Sequence, residues 1–130
     1  MKTRLLAILA LVLVGAFGLA ACSTQARAER KGKAAGDQIC KAKDSRNANE
    51  AQRHVDSANR KLDDLARFTG RDVREDVRDL DRNLNQMARG NATSQDVSAI
   101  VRSVEDARHS ATGNALAAYD GILEALANCD

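Results

Sequence analysis

Few residues in this chain have side chains able to do chemistry: three cysteines, two histidines and a scatter of serines and carboxylates. The serines are Ser23, Ser45, Ser57, Ser94, Ser98, Ser103 and Ser110. None stands beside a base in a motif that would activate it, as nucleophilic catalysis requires. His54 and His109 each follow a glutamate by four residues, as Glu50-His54 and Glu105-His109. Facing helices that carry Glu and His can build metal sites, but the bundle version uses a three-residue offset. On the helix periodicity described below, His54 flanks its apolar stripe and His109 lies on the face away from its own. The expectation is therefore two surface Glu–His pairs, with no metal and no cofactor. Asp63-Asp64 and Asp79/Asp81 offer carboxylates without an evident pocket, and Gly70, Gly90 and Gly113 stand singly rather than in a phosphate loop. No catalytic set emerges, and the chain reads as a non-enzyme.

The cysteines are different, because their positions matter. Cys22 ends a leader in which Lys2 and Arg4 precede an uncharged apolar run, Leu5 to Ala21. A charged start, an apolar middle and small residues at the end are the parts of an export signal. Leu19-Ala20-Ala21-Cys22 resembles the lipobox of bacterial lipoproteins. That resemblance covers the first 22 residues only. It implies diacylglyceryl transfer to the Cys22 thiol, cleavage before Cys22 by signal peptidase II, and acylation of the new amino group. A thiolate is the nucleophile such a transfer needs. The resemblance places the protein in the bacterial cell envelope, held to the membrane through lipid on its extracytoplasmic side. Two or three acyl chains hold firmly where one binds marginally. Ser23 after the cysteine is typical of lipoproteins sent on to an outer membrane, where a cell has one.

Charge divides the rest. Lys2 and Arg4 account for the net +2. From Cys22 onward 18 basic residues balance 18 acidic ones. Within that, residues 22–36 carry +3 (Arg27, Arg30, Lys31 and Lys33 against Glu29) and residues 37–130 carry −3. The only aromatics past the leader are Phe68 and Tyr119. A near-neutral body without stacking surfaces is a poor nucleic-acid binder. The stretch 22–36 is polar and shows no apolar period, so it reads as a flexible tether. Its basic residues would lie near anionic head groups.

The elements that position everything else are helices. Proline is absent and Ala, Leu and Arg are abundant, which favours helix over strand. Ala48, Ala51, Val55, Ala58, Leu62 and Leu65 recur at threes and fours and predict a helix over 48–68. Asn47 with Glu50 resembles a capping box, and Thr69-Gly70 ends the helix. Val73, Val77, Leu80, Leu84 and Met87 predict a second helix over 72–89, with Asp72 in its capping turn. Its charged faces contain Arg71–Glu75, Glu75–Arg78 and Asp79–Arg82, a solvated and self-paired surface. Thr93 or Ser94 opens a third stretch, whose seam is Val97, Ile100, Val104, Ala107 and Ala111. The same period continues through Ala115, Ala118, Ile122, Ala125 and Cys129, across a weak point at Ser110-Ala111-Thr112-Gly113-Asn114.

Cys40 and Cys129 bear on that weak point. In an exported domain a leftover pair suggests one disulfide, the alternative being two buried free thiols. An unbroken helix from 94 to 129 would run roughly 50 Å and carry Cys129 away from Cys40. A break near Gly113 returns the chain. The expected architecture is all-α: a small antiparallel four-helix bundle at about 48–68, 72–89, 94–111 and 114–128. Residues 37–44 would be a short helical lead-in clamped by the Cys40–Cys129 bridge. Residues 1–21 are the signal peptide, 22–36 the tether and 37–130 the domain. With an anchor, a rigid body and no catalytic set, the expected function is protein–protein contact with an envelope partner. A carrier of a small apolar ligand and a self-associating structural lipoprotein are the alternatives.

Overall fold

The structure, a computed structural model, describes residues 24–129. The leader, Cys22 and Ser23 lie outside the described residues. All regular structure among the described residues is helical. Helix α1 occupies 24–43, and α2 Ala48–Thr69. Then come α3 Val73–Asp76, α4 Leu80–Ala88, α5 Ser94–His109 and α6 Gly113–Ala127.

Helix α1 corrects the tether. Residues 24–36 are not a linker; they are helical and run without interruption into 37–43, so the expected lead-in is only the last part of this helix. Ala28, Ala35, Ile39 and Ala42 are buried, and Gly32 completes their four-and-three spacing. The seam is made of Ala and Gly, which carry almost no hydropathic signal, so a polar reading of the segment overlooks it. What holds α1 is close approach. A Cβ on Gly32 would sit 2.1 Å from the Ala118 carbonyl oxygen, and one on Gly121 would sit 2.1 Å from that of Glu29. Gly36 lies against Ile122 and Ala125 in the same way. Gly32 meets Ala118 and Gly36 meets Ile122, so α1 and α6 run side by side in the same direction. Small residues on both sides let two backbones touch, where dispersion over many atom pairs adds up.

Helix α2 forms as its pattern dictates. Ala51, Val55, Ala58, Leu62 and Leu65 are buried. The Asn47 side chain accepts from the Glu50 N–H at 2.9 Å, while Glu50 Oε2 accepts from the Arg46 N–H at 3.3 Å. The capping exchange is therefore shifted by one residue from the expected box. Gly70, at φ 73°, closes the helix and donates its N–H to the Ala66 carbonyl. A left-handed residue at this place is usually glycine because it lacks the Cβ that would clash.

The expected helix over 72–89 is divided. Val77, at φ −109° and ψ 88°, leaves the helical region, and α4 resumes at Leu80. The seam survives the break: Val73, Val77, Leu80, Leu84 and Met87 are all buried. Asp76 and Asp79 are weak helix formers, and Val77 is β-branched. Asp76 is also held by side chains from outside its helix, as described below. Periodicity reports which side chains are buried and cannot see this interruption. The break near Gly113 is present, with α5 ending at His109 and α6 beginning at Gly113. Thr93 caps α5 in a capping box with Asp96. Six helices thus stand among the described residues where four were expected: α1 is additional, and 72–89 supplies two.

Helix α2 packs on α3, α4 and α6, α4 on α5, and α5 on α6. Their shared core contains Ile39, Leu62, Leu65, Leu84, Met87, Ile100, Tyr119 and Ile122. Among the described residues no helix is long and apolar enough to cross a membrane.

Candidate functional site

Cys40, near the end of α1, and Cys129, just past α6, stand at disulfide distance with Cα atoms 5.3 Å apart. That spacing falls in the range a bridge requires. Because α1 and α6 run in the same direction, their last turns coincide and bring the two cysteines together. Cys22, the residue assigned to lipidation, lies outside the described residues.

The histidines do not pair with their glutamates. His54 Nδ1 lies 3.1 Å from Gln38 Oε1 on α1. Glu50 is engaged at the helix cap. His109 is exposed in the last turn of α5. No group of three or more His, Cys, Asp or Glu side chains suited to a metal ion occurs among the described residues.

The polar network that sequence reasoning missed centres on Asp76. The hydroxyl of Tyr119, a side chain 1% exposed, donates to Asp76 Oδ2 across the core. Arg71 approaches the same carboxylate, with Nε 3.3 Å from Oδ2. The expected Arg71–Glu75 pair is replaced by Arg71–Asp76. Arg74 meanwhile reaches outward to the Asn59 carbonyl at 3.1 Å, to Asp63 at 2.6 Å and to Asp81 at 3.7 Å. The only sequence signal was a tyrosine on a helix whose other residues are mostly apolar. A buried hydroxyl needs an acceptor, and Asp76 supplies it. These arginines border an open groove of about 500 Å³ that Asp63, Arg67, Gly70 and Asp72 help to line. Its carboxylates are paired or capping: Asp72 accepts the Arg74 N–H at 3.0 Å. Burial first, and the bond to Asp76 second, push the Tyr119 pKa up, so the hydroxyl holds its proton more firmly than a free phenol.

This network gives a testable pH dependence. Tyr119 keeps its proton to higher pH in the folded chain than its ordinary value of 10.0. Its contribution is intact below about pH 10 and is lost as pH rises beyond that, where the unfolded chain gives up its proton first. Tyr119→Phe is expected to lose about 1–2 kcal/mol at neutral pH. It is also expected to flatten the alkaline fall in stability. Urea titrations followed by circular dichroism, from neutral to strongly alkaline buffer, measure both. An unchanged alkaline slope would assign it to other groups.

Charge pairs tie α1 to its neighbours. Lys31 Nζ donates to Asp64 Oδ2 on α2 at 2.6 Å and lies 5.4 Å from the centre of the Phe68 ring. The bond to Lys31, and then its charge, hold Asp64 below the usual carboxylate range. Lys33 pairs with Glu124 on α6 at 3.0 Å, and that bond raises the lysine. Both pairs are exposed, and exposed pairs contribute little each. Their value is as markers of register between α1, α2 and α6. No protein-family model, curated protein or solved structure matches this chain.

Proposed function

We propose that the chain is a lipid-anchored protein of the bacterial cell envelope, outside the cytoplasmic membrane, whose helical body works by contact with another envelope protein. The observation that carries the reading is the lipobox-like Leu19-Ala20-Ala21-Cys22 behind a charged start and an apolar run. The body supports it: a helical core stiffened by Cys40 and Cys129, with surface grooves lined by charged side chains. In this reading α2, α3 with α4, α5 and α6 are successive antiparallel members of one bundle, and α1 is a fifth.

Intact-mass analysis of the protein from its own host tests the anchor. The expected product begins at Cys22 and carries diacylglyceryl and acyl additions. Cys22→Ser is expected to leave the leader uncleaved and the acyl mass missing. An unmodified Cys22 in the native protein would refute the assignment. Cross-linking in intact envelopes followed by affinity capture is expected to recover a reproducible partner, and its repeated absence would count against the contact role.

A further inference from the structure

We infer that the helical body sits directly on the lipid head groups, through the end at which α1 and α6 begin, with no flexible spacer between lipid and fold. The inference rests on acylation at Cys22. Its second support is the extent of α1. The chain is helical from residue 24, and Ala28 is already fully buried. One residue, Ser23, separates Thr24 from Cys22, and two backbone steps reach at most roughly 7 Å. An acylated Cys22 therefore holds the start of α1 within that distance of the bilayer surface.

Helix α1 cannot swing independently of the body. Gly32 lies against Ala118, Gly121 lies against the Glu29 backbone, and Lys31 reaches Asp64 and Phe68. Those contacts also show what shares its lipid-facing end. The start of α6 is there, with the turn before it at 110–112, and so is the end of α2 at Phe68 to Gly70. Arg27, Arg30 and Arg67 are exposed at this end. None of the three makes a salt bridge among the described residues. Their charge complements anionic head groups. At about 1.5 Å per residue, the 24–43 helix puts the opposite end about 30 Å away. That end holds the 44–47 turn, the 89–93 loop beside Ala48, and Cys40 with Cys129. In this seating it is the end turned away from the bilayer.

The chain has no tryptophan, so one reporter can be placed at either end. The acylated protein, its mass confirmed, is reconstituted in phosphatidylethanolamine vesicles containing phosphatidylglycerol and a spin-labelled head group. Ser110→Trp is expected to be quenched several-fold more than Asn91→Trp. A long Gly-Ser insert between Ser23 and Thr24 is expected to abolish the contrast. Replacing Arg27, Arg30 and Arg67 with Gln is expected to reduce it at least twofold, and an unchanged contrast would overturn the part assigned to the arginines. Equal quenching at both positions in acylated protein overturns the seating and leaves the anchor standing. A chain lacking acyl mass overturns the anchor and the seating together.

Discussion

Gly121→Ala is expected to destabilise the folded chain by about 3 kcal/mol or more, although it adds a single methyl group to a helix. In an exposed helix the same change would be stabilising, because alanine is the better helix former by about 1 kcal/mol. Here the new Cβ would lie 2.1 Å from the Glu29 carbonyl oxygen and 3.0 Å from the Lys33 amide nitrogen. Both obstacles are backbone, so no rotamer change relieves them, and α1 and α6 must separate along their whole seam. Gly32→Ala meets the Ala118 carbonyl at the same distance and is expected to behave alike. Gly113→Ala is the control. Gly113 has φ 59° and open space where a Cβ would go, so only backbone strain of about 1 kcal/mol is expected. Urea midpoints of the three variants give the order. If Gly121→Ala matched Gly113→Ala, the backbone contact between α1 and α6 would be wrong.

Opening the link between Cys40 and Cys129 is expected to have the other large effect. The two are 89 residues apart in sequence, and closing a loop of that length removes enough unfolded-chain entropy to stabilise the fold by about 4 kcal/mol. Whole domains are stable by only about 5–15 kcal/mol, so this is a large share. The core here gains little elsewhere, because many of its buried positions are alanine, which hides a small apolar area. Thermal melts with and without reductant, and of Cys40→Ser with Cys129→Ser, are expected to show a fall of about 15 °C or more. Non-reducing mass spectrometry is expected to find no alkylatable thiol at either position. The two largest effects are coupled, since the bridge joins the last turns of the same helices whose backbones meet at Gly32 and Gly121. In reduced protein Gly121→Ala should leave α1 without either restraint, and hydrogen exchange in residues 24–43 should then rise ahead of the rest.

The helices with conventional seams were legible in advance. Val55, Leu62 and Leu65, or Ile100 and Val104, announce a buried face because large apolar side chains at threes and fours leave water only together. The caps were legible as well, since Asn47, Asp72 and either Thr93 or Ser94 offer an oxygen where a helix begins with unsatisfied N–H groups, and the structure places the third cap at Thr93. The candidate site was legible at its cysteines and not at its network. Asp76 and Arg71 looked like ordinary members of a solvated face. Only Tyr119, arriving from 43 positions away, makes that carboxylate part of the core.

By itself, the sequence determined that the body is helical, where most helices stop, and which residues of the conventional seams face inward. These follow from local chemistry: dihedral freedom, capping and the spacing of apolar groups along one chain. Tertiary structure alone decided that residues 24–36 belong to the fold, that 72–89 is divided at Val77, and that Arg71 serves Asp76. The reason is that glycine and alanine acquire their value only against a second backbone. A glycine that carries almost no hydrophobic signal in the sequence becomes a point of backbone contact once α6 lies against α1.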